Sequence, residues 1–316
     1  MDGLSFCTPH PKVCSAFLSL PIQTHGSANL WRHVLGFPAY NFSAHCPSIH
    51  LKQNREVTHL IGRYLRLPGS PLAVFWHSLS RKFTTMSGEK VTIKSENPKG
   101  DLPCIVFDEL LAESDKGLVV IQEWWGMNKQ IKEEAHDIGK MGNFVTIVPD
   151  LYRGKIATDH EEAGHLMSNL DWPGAVKDIR ATILHLKSMG CKKVGVTGFC
   201  MGGALSLAAG ALLQDVVDAI APFYGIPDEK LCDVSTIKCP VQCHFGALDD
   251  LVGFSSPKDV EKLEEKFKAG NVDYEMNIYD EAAHAFTNSS GPNYHKDSCH
   301  LALQRLCTFM NKSLVE

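Results

Sequence analysis

Cys200 lies among glycines, in the run Gly198-Phe199-Cys200-Met201-Gly202-Gly203. A nucleophile between glycines is typical of a tight strand-to-helix turn that holds the nucleophilic residue in a strained conformation. At the start of the following helix the dipole favours a thiolate, the reactive form of cysteine. The run has neither the GxGxxG order nor the Lys-Ser/Thr ending of phosphate-binding loops. It therefore predicts a nucleophile, and a buried structural cysteine is the alternative.

An acid and a histidine follow Cys200 in the chain, each after an apolar run. Asp249 lies in Gly246-Ala247-Leu248-Asp249-Asp250, and His284 lies after Tyr279. The order nucleophile, acid, histidine is that of the α/β-hydrolases. Each residue alone is compatible with an ordinary loop position, but their occurrence at the ends of three different strands predicts a catalytic triad. Asp250 is the alternative acid.

A second acid follows an earlier apolar strand, in Gln122-Glu123-Trp124-Trp125-Gly126. Glu123 is expected near the nucleophile and partly desolvated, where it could exchange a proton with Cys200. The alternative is an exposed acid at the start of the next helix. Trp124 and Trp125 are expected to form packing or a pocket wall. The backbone N–H groups of Met201 and Trp124 are the predicted oxyanion donors.

These side chains need a scaffold, and the pattern from Met86 onward alternates strands and helices. Strands are predicted at 91–94, 104–108, 117–121, 144–148, 193–197, 219–224, 241–245 and 274–279. Helices are predicted at 129–141, 160–169, 173–188, 201–213, 257–268 and 294–311. Such alternation indicates an α/β fold, with a mostly parallel sheet and helices on both faces. Ligands of such sheets bind beyond the carboxyl ends of the strands, where the candidate residues lie.

Charge divides the chain into two parts. Residues 1–85 contain eight Lys or Arg and two acids, and residues 86–316 contain 23 Lys or Arg against 34 acids. The first part shows no lasting helix or strand period and is predicted to be a disordered extension without chemistry. Its acid-poor composition and its end, 78–85, also fit an organellar transit peptide. Residues 86–316 are predicted to be the hydrolase domain.

The net charge of −5 gives no reason to expect a nucleic-acid partner, since the phosphates of nucleic acids require a basic surface. No apolar run is long enough to span a membrane. The eleven cysteines contain no CxxC pair and no disulfide framework, so reduced thiols and an intracellular location are expected. That location is the cytoplasm, or a plastid or mitochondrion if residues 1–85 are a transit peptide. No metal or cofactor is predicted, and a monomer or homodimer is expected.

Taken together, the motifs resemble the dienelactone hydrolase (carboxymethylenebutenolidase) family. The resemblance covers residues 86–316 and implies one α/β-hydrolase domain with a Cys200-His284-Asp249 triad. It also implies that Glu123 contacts the resting cysteine. The motifs that carry it are Gln122-Glu123-x-x-Gly126, Pro149-Asp150-Leu151-Tyr152, Gly198-Phe199-Cys200-Met201-Gly202-Gly203, Gly246-x-x-Asp249 and Ala283-His284-Ala285-Phe286.

The substrate-binding positions depart from that family. Members that open the namesake lactone hold its carboxylate with two arginines and a tyrosine. By the resemblance, Asn288 stands in this chain where one of these arginines would be. Glu161 and His165 stand near the positions of the other arginine and the tyrosine. Arg153 is the expected substitute for the positive charge. The predicted substrate-binding residues are Trp125, Tyr152, Arg153, His165 and Asn288.

The leading hypothesis is therefore hydrolysis of a small carboxylic ester or lactone through an acyl-enzyme on Cys200. Neutral substrates are expected to be preferred over a carboxylate-bearing dienelactone. A second hypothesis is a thiol-bearing binding or redox-sensing protein on the same fold, because a sensor also needs a reactive cysteine. A third is hydrolysis of glycosidic bonds, which would need two carboxylates facing the scissile bond. Glu123 and Asp249 are the two available.

Overall fold

A computed structural model describes residues 88–108 and 114–315 of the chain. The predicted extension, 1–85, lies outside the described residues. The described part contains eight strands, each close to its predicted position. They are β1 (Glu89–Ile93), β2 (Leu102–Phe107), β3 (Lys116–Ile121), β4 (Val145–Pro149), β5 (Lys193–Phe199), β6 (Ala219–Phe223), β7 (Val241–Gly246) and β8 (Tyr274–Tyr279).

The strands form one mostly parallel sheet in the order β1-β2-β4-β3-β5-β6-β7-β8. Strand β2 is antiparallel to both β1 and β4, and the remaining pairs are parallel. The central strands β4, β5 and β6 are almost entirely buried, as continuous apolar runs in a sheet covered on both faces should be. Because β3 to β8 run the same way, their carboxyl ends share one edge of the sheet.

Within the described part of the chain, six α-helices accompany the strands, and together they confirm the predicted α/β class. They are α1 (Lys129–Gly142), α2 (His160–Ser168), α3 (Trp172–Ser188), α4 (Met201–Leu212), α5 (Pro257–Gly270) and α6 (Lys296–Ser313). A short 3-10 helix, Val234–Thr236, lies between β6 and β7. Helix α1 packs against α6, and α3 packs against α4.

Two glycines show that these helices cover opposite faces of the sheet. Gly117 of β3 pairs with Val194 of β5, so Gly195, the next residue of β5, faces the other way. A Cβ on Gly117 would touch Leu186 of α3, whereas one on Gly195 would meet Met310 of α6. The absence of a side chain at each glycine lets its helix approach the sheet closely.

Local hydrogen bonds explain where several helices begin. Asn128, Asp159 and Asp171 each accept a hydrogen bond from a backbone N–H of the first turn, which satisfies a donor that has no partner inside the helix. The last helix begins at Lys296 rather than at the predicted residue 294, because His295 takes the capping position and accepts from the N–H of Ser298.

Candidate active site

Cys200 lies in a strained turn between β5 and α4. Its backbone has φ 53° and ψ −114°, a positive φ that costs energy for any residue with a side chain. The turn is tight because a Cβ on Gly202 would lie 2.5 Å from the carbonyl oxygen of Ile121, and one on Gly203 would collide with the carbonyl of Phe223. The glycines thus allow α4 to start against the ends of β3 and β6.

The start of α4 has free backbone donors. Cys200 occupies the N-cap position and no side chain of the described residues caps the helix, so first-turn N–H groups remain available to an anion. Met201 is the first residue of this helix. Gly202 lies against Ile121 at the end of β3, and the loop that contains Trp124 follows directly after that strand. The predicted oxyanion donors, Met201 and Trp124, therefore belong to adjacent backbone segments.

His284 is held by a buried carboxylate and a hydroxyl. Its Nδ1 lies 2.8 Å from Oδ2 of Asp249 and 3.1 Å from Oγ of Ser255. The Asp249 side chain is 0% exposed, whereas Asp250 is exposed to solvent. Of the two candidate acids, Asp249 is therefore the one that orients the imidazole.

The imidazole also lies close enough to Cys200 for the two side chains to interact electrostatically. Burial lowers the pKa of His284, but the hydrogen bond to Asp249 and the negative charges of Asp249 and Cys200 outweigh burial and raise it to about 10. A histidine in such surroundings holds a proton firmly at neutral pH. The arrangement can therefore form a thiolate–imidazolium pair.

Glu123 is buried, with 3% of its surface exposed, so the alternative of an exposed first-turn acid is wrong. Its Oε2 accepts from the Nδ2 of Asn288 at 2.6 Å, and its Oε1 accepts from the hydroxyl of Tyr224 at 3.2 Å. Burial raises the pKa of Glu123, while the two hydrogen bonds and the positive charge of His284 oppose that rise.

These contacts bear on two expectations. The expected contact between Glu123 and the resting cysteine stays a prediction, and the hydrogen-bond partners of the Glu123 carboxylate in the described residues are Asn288 and Tyr224. Asn288, expected to bind substrate, instead holds Glu123 with its Nδ2 and accepts from the N–H of Ser290 at 3.0 Å with its Oδ1. Both polar atoms of its amide are thus occupied within the protein.

The predicted role of Arg153 in substrate binding also requires correction. Its guanidinium forms two hydrogen bonds of 2.9 Å with the buried carboxylate of Asp178, and others with the carbonyls of Gly100 and Asp150. A guanidinium fork matched to a carboxylate in this way is already neutralised. Arg153 therefore cannot also hold the carboxylate of a substrate without breaking this pair.

Aromatic rings form a cluster beside the Glu123 loop. The rings of Trp124 and Trp125 meet edge to face at 5.3 Å, and both contact the ring of His160 at the start of α2. Trp125 is half-buried, which suits a pocket wall. His165, on the same helix, is 73% exposed at its side chain, with Nε2 3.8 Å from a carboxylate oxygen of Glu161.

Tyr152 is buried close to the nucleophile. Its hydroxyl donates to the sulfur of Met201 at 3.2 Å, and burial, together with the charge of Cys200, raises its pKa. Its position next to Cys200 remains compatible with the predicted contact to substrate.

Two site residues were not predicted from the sequence. Tyr224, whose hydroxyl contacts Glu123 and whose ring meets that of His284 at 5.2 Å, follows β6 at the carboxyl edge. Its position directly after a buried strand was the signal that could have identified it. Ser255 lies in an irregular loop after Asp249, and no sequence pattern points to it.

Within residues 88–108 and 114–315, no group of His, Cys, Asp and Glu side chains is arranged to hold a metal ion. The same residues contain no helix long and apolar enough to cross a membrane. The eight cysteines of this part of the chain are all free thiols.

Comparison with known proteins identifies the family of the chain. The family model for the dienelactone hydrolase family matches residues 107–314. The chain is 36% identical over 183 residues to the protein usf of Aquifex pyrophilus, which covers 54% of this chain and 77% of that protein. It is 29% identical over 205 residues to a carboxymethylenebutenolidase of Pseudomonas putida, covering 61% of this chain and 84% of the relative.

Solved structures show the same fold. A dienelactone hydrolase-like promiscuous phosphotriesterase from metagenomic libraries superimposes with a TM-score of 0.61 at 20% identity, covering 72% of this chain and 99% of its own. An esterase of Pyrobaculum calidifontis gives a TM-score of 0.54 at 12% identity, covering 85% of this chain and 96% of its own. With the family match over 107–314, and with the same fold as these solved structures, the chain belongs to the dienelactone hydrolase family, a family of enzymes that hydrolyse ester bonds.

Proposed function

We propose that this protein hydrolyses a small carboxylic ester or lactone with Cys200 as the nucleophile. The observation that carries the proposal is the His284–Asp249 hydrogen bond next to Cys200, which lies in a strained strand-to-helix turn and interacts with the imidazole. Nucleophile, base and orienting acid in hydrogen-bond reach of each other are the requirement for covalent catalysis of acyl transfer.

The first half of the reaction forms a thioester. The thiol proton passes to His284, the sulfur of Cys200 attacks the carbonyl carbon, and the carbonyl oxygen takes the negative charge. Backbone N–H groups of Met201 and Trp124 stabilise that oxyanion. The tetrahedral intermediate then collapses, the carbon–oxygen bond of the ester breaks, and the imidazolium returns its proton to the leaving alkoxide.

The second half releases the acyl group. Water gives a proton to His284, its hydroxide attacks the thioester carbonyl, and the thiolate leaves and regains the proton. Asp249 keeps the imidazole in one orientation throughout and stabilises its charged form. The buried carboxylate of Glu123 lies close enough to His284 to affect it electrostatically, and its negative charge favours the imidazolium in both halves.

The substrate is inferred to be neutral in its acyl part. Two residues that could have contacted a substrate carboxylate are engaged elsewhere, Arg153 by Asp178 and Asn288 by Glu123. The half-buried Trp125 offers an apolar surface near the Glu123 loop. Small esters and lactones without a free carboxylate suit a pocket of this kind.

The two other hypotheses gain no support from specific contacts. Glycosidic cleavage needs two carboxylates that face the substrate, but Asp249 is bonded to His284, and Glu123 is bonded to Asn288 and Tyr224. A peroxide-sensing thiol does not need an oriented imidazole. This site has one, because Asp249 holds the ring of His284 by a hydrogen bond.

The test is to replace Cys200 and to search for the covalent intermediate. Cys200→Ala is expected to lower kcat/KM on aryl esters by about 10⁴-fold or more, and the wild-type protein should gain the mass of one acyl group during turnover. Cys239→Ser, a half-buried thiol outside the site, is the matched control and should leave both results unchanged. Activity that survives in Cys200→Ala would refute the nucleophile.

A further inference from the structure

The imidazole of His284 has a second oxygen beside Nδ1 that the mechanism above does not use. Oδ2 of Asp249 lies 2.8 Å from this nitrogen, and Oγ of Ser255 lies 3.1 Å from it. Ser255 is 0% exposed, and within residues 88–108 and 114–315 its hydroxyl has His284 as its one hydrogen-bond partner. A hydroxyl is buried at a cost in free energy unless it is hydrogen-bonded, so the contact with the catalytic base is what stabilises it there.

The loop between β7 and α5 fixes both oxygens relative to each other. Oδ1 of Asp249 accepts from the N–H of Leu251 at 3.1 Å. The carbonyl of Leu251 in turn accepts from the N–H groups of Ser255 and Ser256, at 3.0 and 3.1 Å. These bonds close residues 249–256 into one compact turn, so the carboxylate and the hydroxyl reach the imidazole from a common frame.

The rotation of the His284 ring depends on such contacts. The torsion that turns an imidazole, χ2, has only a broad intrinsic preference, so the surroundings must set it. The rings of Phe254 and Tyr224 lie 6.2 and 5.2 Å from that of His284 between centroids and limit where the ring lies. Hydrogen bonds at Nδ1 define its angle, because this atom lies off the rotation axis. A second acceptor at Nδ1 therefore narrows the arc that a single acceptor would allow.

The position of the proton decides how Ser255 contacts this nitrogen. An ionised carboxylate only accepts hydrogen bonds, so the bond to Asp249 requires the proton on Nδ1. A protonated ring nitrogen is a donor, and the Ser255 hydroxyl therefore meets it as an acceptor. We propose that Ser255 is a positioning residue of the catalytic base: its oxygen shares the Nδ1 proton with Asp249 and holds the ring at the angle that presents Nε2 to Cys200.

The consequence for the reaction concerns the other ring nitrogen. With its single proton held at Nδ1, the neutral imidazole has its lone pair on Nε2, where it takes the proton of the thiol. In the imidazolium both nitrogens carry protons, and the two oxygens still accept from Nδ1. Ser255 thus acts in both states without gaining or losing a proton. This inference rests on the proposed function, because it assigns Ser255 to the base of that reaction.

The charged and titratable groups around the ring come from four segments. Asp249, in the loop after β7, and Cys200, at the start of α4, both favour the imidazolium. Glu123, after β3, interacts with the charge of the ring, and the phenol ring of Tyr224, after β6, contacts it. The Ser255 hydroxyl carries no charge, so its removal changes the hydrogen bonding at Nδ1 and leaves the charges of the site as they are.

Steady-state kinetics of the full-length protein on aryl esters test the role in the reaction. Ser255→Ala should lower kcat by about tenfold, because the base loses one hydrogen bond in the transition state. KM should stay near its wild-type value, since a hydroxyl that is 0% exposed lies out of reach of the substrate. Ser256→Ala is the matched control. It removes the adjacent hydroxyl, which donates to Asp259 at 2.6 Å, and should leave kcat nearly unchanged.

NMR titration of the histidine ring tests the contact without relying on activity. An acceptor at Nδ1 stabilises the imidazolium more than the neutral ring, because hydrogen bonds to charged groups are stronger. The pKa of His284, about 10 in the wild-type protein, should therefore fall by about one pH unit in Ser255→Ala. It should keep its wild-type value in Ser256→Ala. The spectrum of His284→Gln identifies the resonance among those of the 15 histidines.

The two measurements separate this inference from the proposed function. A Ser255→Ala protein with wild-type kcat and a wild-type titration of His284 overturns the role of Ser255 alone. A fall in kcat without a change in the titration also overturns it, as does an equal fall in Ser256→Ala, because the substitution then acts through the loop and not through Nδ1. A wild-type protein without esterase activity, in which Ser255→Ala still lowers the pKa of His284, refutes the proposed function alone.

Discussion

Arg153 offers a direct test of whether a charged side chain near the site serves stability or substrate binding. Its guanidinium is bonded to Asp178, and the two side chains are 17% and 1% exposed. We predict that Arg153→Ala destabilises the protein and leaves its preference between neutral and anionic substrates unchanged. The reason is that the substitution leaves the buried carboxylate of Asp178 without its positive partner, whereas it changes the substrate pocket little.

The magnitude follows from what remains around Asp178. Removing one partner of a buried ion pair costs about 3–5 kcal/mol, because an uncompensated charge is left behind. Ser95 and Asn97 still donate to the Asp178 carboxylate, at 2.5 and 2.8 Å. The lower end, about 3 kcal/mol, is therefore expected. For a domain of roughly 150–250 residues this lowers Tm by about 10 °C.

A matched pair on the surface provides the control. Arg180 forms the same two-bond fork with Asp215, at 2.8 and 2.6 Å, but both side chains are substantially exposed. Solvent screens such pairs, so Arg180→Ala should change Tm much less. Adding Asp178→Asn to Arg153→Ala removes the stranded charge and should recover part of the loss.

The assay combines thermal and urea unfolding with kcat/KM for a free-acid substrate and its methyl ester. Equal Tm losses in Arg153→Ala and Arg180→Ala would contradict the structural role of Arg153. A large fall in the rate for the free acid alone would place the guanidinium in the substrate pocket.

Three further predictions concern the site. Asp249→Asn should lower kcat/KM by about 10³–10⁴-fold, since the imidazole loses its orienting acceptor; a loss below about tenfold would reject Asp249 as the triad acid. His284 has a folded-state pKa of about 10, above its ordinary value near 6.5, so its contribution to stability is present below about pH 6.5 and is lost as the pH rises towards 10. In urea unfolding, His284→Gln should not show this loss of stability at high pH. If the stability of both proteins depends on pH in the same way, the raised pKa of His284 is refuted. A neutral methyl ester should be preferred over the free acid by about tenfold or more in kcat/KM, and a tenfold preference for the acid would contradict the neutral pocket.

Much of the scaffold follows from local sequence pattern. Buried parallel strands are continuous apolar runs, and amphipathic helices follow the 3.6-residue period, so the elements could be placed within a few residues. Parallel strands end at one edge of a sheet, and this alone brings the residues after β3, β5, β7 and β8 together. The glycines around Cys200 predicted its tight turn because close approach of backbone segments leaves no room for a Cβ.

The partners of the buried charged groups were decided only by the tertiary structure. Asp178 is hydrogen-bonded by Arg153, 25 residues away in the chain, and Glu123 is hydrogen-bonded by Asn288, 165 residues away. Periodicity tells which face of an element is buried, but it carries no information on which distant donor will reach a given carboxylate. Ionised groups are stabilised in the interior only when such donors surround them. The sequence by itself therefore determined the fold and the strand ends that carry the candidate triad. The folded chain decided that Arg153 pairs with Asp178 and that Asn288 binds Glu123.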